Sequence, residues 1–325
     1  MTEKIPRSIE TAFPIPTPSK DVPQRLRELI GLDKIPETVD FTIGEGKETR
    51  ELREYRITFP NNLGEVISAR FICPQTTQKP LAGVVCMNGT ASHADHVAHE
   101  RYHRIQPEAG PLLGWGRELA RRGYAILTFT PKGAEKRRHT LELWEQEAKL
   151  LIPFGRHQMG ILADEVLRAT RILGNQDGVD PNRIGLAGMS LGGAATWLGM
   201  AFGDWIRTGI SVCGGLGSLR VNIHDGMPER HSSFNYIPHM LRYFEHWDIV
   251  ISCIAPRPFM MVSPTEDEDM PKKGVEMLIN AVKPYYAGVG KPDHFKVYQP
   301  SGRHVFKMEY FEWLTDWFNR FLASN

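Results

Sequence analysis

The chain is poor in cysteine, carries almost no net charge and lacks any long apolar run, and each shortage removes a class of function. Four cysteines in 325 residues (Cys73, Cys86, Cys213 and Cys253) stand far apart, mostly inside strand-like apolar runs. That spacing argues for reduced core thiols and against a disulfide-stapled scaffold. The formal net charge is +1, from 39 Lys and Arg against 38 Asp and Glu, and the two signs are interspersed. With no broad basic field, neither nucleic acid nor an anionic membrane is an expected partner. No uninterrupted apolar run approaches the roughly 20 residues needed to cross a bilayer. Met1 to Arg7 and the Pro-rich stretch to Pro18 contain no apolar core of a secretory signal, so a cytoplasmic location is expected. With 41% hydrophobic and 24% charged residues, the composition is that of a soluble globular protein with a large core.

What the chain does have is alternation. Residues 1 to about 20 read as an extended arm and Val22–Ile30 as a short amphipathic helix on the main body. Such an arm often serves as an interface or a partial lid, and the first of these keeps a homo-oligomer among the expected assemblies. Glu54–Phe59 and Val66–Ile72, separated by Asn61-Asn62-Leu63-Gly64, read as a hairpin. Leu81–Met87 is continuously apolar, as in a strand buried on both faces of a parallel sheet. Then come a helix from Leu112 to Arg122, a strand from Tyr124 to Phe129, and helix from Leu141 to Leu173 interrupted at Pro153-Phe154-Gly155. Strands at Thr208–Cys213, Arg257–Ser263 and His294–Gln299 follow, with helices near Lys272–Val282 and Lys307–Leu322. The pattern predicts an α/β fold, a doubly wound and mostly parallel sheet with an N-terminal hairpin. Between Gly214 and Ile254 the alternation breaks, and Ser232–Phe244 is rich in aromatics. This segment is placed to cover a site at the sheet edge, with Phe234 and Tyr236 against substrate; packing of a surface helix is the other reading.

The most informative run is Gly188-Met189-Ser190-Leu191-Gly192-Gly193, directly after the apolar stretch Arg183–Ala187 and before Ala194–Met200, a helix start. A serine on a turn that tight tolerates only hydrogen two positions to either side, which Gly188 and Gly192 supply. Strand, elbow and helix are the context that G-x-S-x-G needs. A serine hydroxyl is a poor nucleophile near neutral pH, so Ser190 calls for a histidine base and an orienting carboxylate downstream. Of the later histidines, His231 and His239 lie in the stretch where the alternation breaks, and His294 begins a strand. His304, in the loop Pro300–Phe306 after the last strand, is better placed than these or His246. The acid belongs in the loop after Pro258–Ser263, which holds Glu266, Asp267, Glu268 and Asp269. Asp267 fits best, with Asp269 next; the remaining acids face water, because clustered carboxylates raise one another's pKa. Charge developing on a substrate oxygen needs two backbone donors. Leu191 N–H is one, and the loop Asn88-Gly89-Thr90-Ala91 supplies the other from Thr90, or from Ala91. Asn88 and Ala91 are expected to contact substrate.

Strand order, elbow, acid loop and terminal histidine together resemble the α/β-hydrolase fold, and Ile254-Ala255-Pro256-Arg257-Pro258 and Asp177–Gly185 resemble the dienelactone hydrolase and acetyl xylan esterase-like branch. The resemblance spans residues 50 to 325. It implies Ser190 as nucleophile, Asp267 as acid and His304 as base, hydrolysing a small-molecule ester with no metal and no organic cofactor. On this reading residues 1–50 are an arm and short helix, and 51–325 the hydrolase domain, with a helical lid insertion at about 215–253. The chain departs from many relatives in carrying Asn88-Gly89 where they carry His-Gly. It departs again in the basic run Pro131–Arg138, which either attracts an acidic substrate or is a solvated loop. His96, His99 and His103 would share a face if helical and could then hold a transition metal; rimming the pocket or facing solvent is the plainer role for these and His93. The same triad also serves amidases and peptidases, and a hydrolase-fold binding protein is the reading from a different class.

Overall fold

The computed structural model describes residues 21–75, 79–106, 109–138, 140–227 and 231–323; the expected arm over residues 1 to 20 lies outside them. The first helix, α1 (Val22–Ile30), buries Val22, Leu26 and Ile30 along one face and stops where Gly31 enters the left-handed region. Three antiparallel strands follow, β1 (Thr42–Glu48), β2 (Leu52–Pro60) and β3 (Val66–Pro74). The turn between β2 and β3 is the expected one: Asn61 Oδ1 accepts from the Leu63 and Glu65 N–H groups at 2.9 and 3.0 Å. Strand β1 extends the sheet to Thr42, ahead of the expected boundary at residue 51. All seven of its residues are exposed, so no apolar periodicity marks it in the sequence.

Next come β4 (Leu81–Met87), α2 (Ala94–Val97) and a separate ribbon of β5 (His103–Gln106) and β6 (Ala109–Leu113). Helix α3 (Trp115–Arg121) starts later than the expected Leu112, because Gly114 adopts φ +71 and its missing Cβ leaves room for the Arg101 carbonyl. Leu112 and Leu113 therefore stay in the ribbon. After β7 (Ala125–Phe129), the long helical stretch divides at the expected Pro153–Gly155 turn into α4 (Leu141–Leu151) and α5 (Gln158–Gly174). Then follow β8 (Val179–Met189), α6 (Leu191–Phe202) and β9 (Ile206–Val212). Between β9 and β10 the alternation does break, into short helical pieces that include α7 (Leu219–His224), α8 (Met240–Tyr243) and α9 (His246–Ile249). The chain closes with β10 (Phe259–Val262), α10 (Lys272–Gly288), β11 (Phe295–Tyr298) and α11 (Met308–Phe321).

Among the described residues, nine strands form one sheet in the order β1-β2-β3-β7-β4-β8-β9-β10-β11. Pairing is antiparallel from β1 through β7 and parallel from β7 through β11. Alternation along β4 sends Val85 and Met87 into a core under α5 and α6, and Val84 and Cys86 into a second core under α3 and α11. Each fully buried Leu or Phe in these cores, such as Leu198 or Phe318, stabilises by about 1.5–3 kcal/mol. After β4 the chain moves to β7 on one side, and α5 then carries it back across to β8 on the other. The loops after β4 and β8 thus diverge at a switch point, which opens a crevice at the carboxyl ends of the strands. No helix among the described residues is long and apolar enough to cross a membrane.

Candidate active site

Ser190 sits between the end of β8 and the start of α6 at φ 57 and ψ −116, a conformation that costs a non-glycine residue about 1–3 kcal/mol. Its surroundings hold it there. Its N–H donates to the Val212 carbonyl of β9 at 2.8 Å, and its carbonyl accepts the Ala194 N–H at 2.9 Å. A Cβ on Gly188 would overlap the Gly192 carbonyl, and one on Gly192 would lie 2.5 Å from the Met87 carbonyl oxygen. The two glycines are thus required by close backbone approach on both sides of the turn.

The loops after β10 and β11 are zipped together by backbone bonds, Thr265 N–H to the Pro300 carbonyl and Glu266 N–H to the Gly302 carbonyl, both 2.9 Å. This pairing carries His304 to the elbow. Its Nε2 lies 2.9 Å from Ser190 Oγ and its Nδ1 2.8 Å from Asp267 Oδ2. Asp267 is buried, and its second oxygen accepts the Asp269 N–H at 3.0 Å. Asp269 Oδ2 is farther from His304 Nδ1, at 3.6 Å, and its other oxygen faces His231 Nε2 at 3.2 Å. Glu266 and Glu268 are exposed. Leu191 opens α6, so its N–H has no carbonyl one turn earlier in the helix. Thr90 lies across the crevice, its carbonyl tied to the Glu135 N–H at 2.9 Å, and both residues line a cavity with Ser190.

No family model matches the chain. The Bacillus subtilis (strain 168) protein named "Putative hydrolase YtaP" is 26% identical over 257 residues, 78% of this chain and 84% of that protein. A glucuronoyl esterase from Solibacter usitatus superposes with a TM-score of 0.68 at 16% identity, over 94% of this chain and 92% of its own. An acetyl xylan esterase from Paenibacillus sp. R4 gives 0.63 at 14% identity, over 97% of this chain and 98% of its own. The chain has the α/β-hydrolase fold.

Two cavities meet at the serine of this α/β-hydrolase fold, each of about 210 Å³, and Thr90, Ser190 and His304 line both. The first lies beneath the insertion after β9. Phe234 and Tyr236 line it, along with Arg138, His231, Asn235 and Asp269. Tyr236 hydroxyl is 2.8 Å from His231 Nδ1, and Phe234 packs edge-on against Trp144. The second is apolar, walled by Pro111, Leu112, Trp115, Met189, Val305 and Phe306. Ala91 and Asn88 border it. The Asn88 amide spends its N–H groups on the Gly89 and Ser92 carbonyls at 2.8 and 2.7 Å, so it braces the loop from within.

Two sequence readings need correction in this fold. The basic run after β7 is not a solvated loop. Lys132 is buried, with Nζ 2.5 Å from Glu65 and 2.8 Å from Glu147, and Arg137 grips Glu165 at 2.7 and 2.8 Å and Glu65 at 2.8 Å. Burial alone would raise the Glu65 carboxyl, but hydrogen bonds and charge from Lys132 and Arg137 hold it below its usual range. Nor do the histidines after the Asn88 loop form a helical metal face, because α2 ends at Val97. His93 and His96 stack at 3.9 Å, while the Nδ1 atoms of His99 and His103 both meet the Arg101 carbonyl. All four are half-buried, and none lines either cavity.

Two neighbours of the triad escaped sequence reading. Cys213 follows β9 at φ +50, beside Asp267 and His304. Burial, reinforced by the Asp267 charge, pushes its thiol well above the usual range, so it stays protonated. His231 reads in the sequence only as one histidine of the segment between Gly214 and Ile254, and no sequence signal ties it to Asp269.

Proposed function

We propose that the chain is a serine esterase that hydrolyses a carboxylic ester of a small or medium acyl group through an acyl-enzyme. The observation that carries this reading is the unbroken hydrogen-bond chain Ser190 Oγ, His304, Asp267 at a strained elbow, opening directly into two cavities. Asp267, an acceptor only, holds the proton of His304 on Nδ1 and makes Nε2 the acceptor facing Ser190 Oγ. Ser190 Oγ then bonds the substrate carbonyl carbon while its proton passes to His304 Nε2. The oxygen left with the electron pair takes hydrogen bonds from the Leu191 and Thr90 N–H groups, each worth about a hundred- to thousandfold in rate. As that intermediate collapses, His304 returns its proton to the departing alkoxide and an acyl-serine remains. Water attacks the acyl-serine carbonyl carbon while its proton passes to His304; the bond from that carbon to Ser190 Oγ then breaks, His304 returns the proton to Oγ, and the acid leaves.

Phe234 and Tyr236 wall the cavity under the insertion, which acts as a lid bounding the group beneath it, and Ala91 borders the cavity opposite. The test is a fluorophosphonate probe with peptide mapping, alongside hydrolysis of 4-nitrophenyl esters of increasing acyl length and a matched anilide. Labelling at Ser190, turnover that falls as the acyl chain lengthens, and loss of both in Ser190→Ala are expected. Full activity in Ser190→Ala, or faster cleavage of the anilide than of the ester, would overturn the reading.

A further inference from the structure

The loop after β7 carries Lys132, Arg137 and Arg138 close together, and the structure accounts for only the first two. Glu65, Glu147 and Glu165 saturate Lys132 and Arg137. Arg138 is half-buried and lines the cavity beneath the insertion, where its guanidinium meets no carboxylate or carbonyl partner among the described residues. Its backbone is fixed even so, its N–H donating to the Glu135 carbonyl at 3.0 Å next to the anchored Arg137. A guanidinium that gives up part of its hydration without a protein partner is a poor use of folding free energy. The same group, at a cavity wall, suits a planar anion, which its fork of N–H donors can meet through two parallel hydrogen bonds.

The charges around it leave that role open. Asp269, in the same cavity, faces His231 and His304, and Asp267 is engaged by His304. The cavity on the other side of Ser190 contrasts with this one. Trp115 and Phe306 meet edge-on at 5.3 Å in its wall, and among the described residues no Asp, Glu, Lys or Arg lines it. The reacting serine therefore stands at the waist between an apolar cavity and one carrying an unmatched cation, the two equal in volume.

We propose that the substrate is an ester joining an apolar group to a group that bears a free carboxylate, the apolar part seated against Trp115 and Phe306 and the carboxylate on Arg138. This rests on the esterase reading above and adds the substrate class. The carboxylate can belong to the acid half or to the alcohol half of the ester, and the substrates below separate the two.

For the acid half, 4-nitrophenyl hydrogen glutarate is compared with its neutral methyl-capped counterpart; for the alcohol half, 4-butyryloxybenzoate is compared with its methyl ester. In one pair the unmodified protein should favour the anion by about tenfold or more in kcat/KM, through KM, with the preference shrinking as salt rises. Arg138→Gln should bring that ratio close to one, and Arg138→Lys should keep part of it, since a lysine retains charge without the fork. No preference for the anion in either pair, or a ratio unchanged in Arg138→Gln, would overturn the proposal. If the protein hydrolyses no ester at all, the esterase reading fails, and calorimetry on Ser190→Ala still decides Arg138. There the anionic member of a pair should bind more tightly than its methyl ester, with the difference gone in the Ser190→Ala, Arg138→Gln double variant. Equal binding of both members would refute the assignment.

Discussion

Replacing Asp267 by asparagine keeps a side chain of the same shape in its buried place and removes the charge, which isolates what the carboxylate does. Asp267 Oδ1 accepts the Asp269 N–H at 3.0 Å and Oδ2 faces His304 Nδ1 at 2.8 Å. The backbone donor is fixed, so an asparagine would turn its oxygen towards Asp269 and its NH₂ towards the imidazole. His304 Nδ1 would then have to accept, the ring proton would move to Nε2, and Nε2 faces Ser190 Oγ at 2.9 Å. A protonated Nε2 cannot take the serine proton. An inverted tautomer of this kind lowers kcat by about 10,000-fold, roughly 5.5 kcal/mol of transition-state stabilisation. Asp269→Asn is the control. Its carboxylate stands 3.6 Å from Nδ1 and 3.2 Å from His231 Nε2, so its loss leaves the tautomer in place and should cost less than about tenfold. Steady-state hydrolysis of 4-nitrophenyl acetate by both variants, with thermal melts to show that each is folded, gives the comparison. Activity of Asp267→Asn within tenfold of the parent, or equal damage from the two substitutions, would refute the reasoning.

Three further outcomes follow from the packing. Gly188→Ala should lower stability by on the order of 3 kcal/mol and abolish activity, because its methyl group has to displace the Gly192 backbone; a urea titration matching the parent would show that the elbow has room. Glu165→Gln strips Arg137 of a fully buried partner, and removing one member of such a pair costs about 3–5 kcal/mol, so a melt unchanged from the parent would deny the loop's ion pairs any part in stability. Burial pushes His157 and His246 from 6.5 down to about 4, so between those pH values the unfolded chain binds more protons than the folded one. The stability each lends is complete above about pH 6.5 and is lost as pH falls towards 4, by on the order of 3 kcal/mol per histidine. His157→Asn, which preserves a helix cap, should flatten the fall of melting temperature between pH 7 and 5; an identical slope would count against the buried imidazole as its source.

Local sterics made part of this protein readable from its residues alone. Glycine two positions either side of Ser190 reports a turn whose clashes lie within the elbow and the adjoining β4 backbone, and the continuous apolar run Leu81–Met87 reports a strand covered on both faces. The succession of elbow, acid loop and terminal histidine is legible for the same reason, since each follows its own strand. Strand β1 is silent because an exposed edge imposes no apolar period. Asp267 and Asp269 stand two residues apart in a loop dense with carboxylates, and only the bonds from Thr265 and Glu266 to Pro300 and Gly302 decide which of them meets His304. The sequence also shows the charges of Lys132, Arg137 and Arg138 without showing that Glu65, Glu147 and Glu165 cancel the first two and leave the third in the wall of a cavity that Ser190 also lines. Turn geometry and apolar period act over a few bonds of chain; ion pairing and cavity walls depend on which distant segments the sheet brings together, and that is settled only when the whole chain folds.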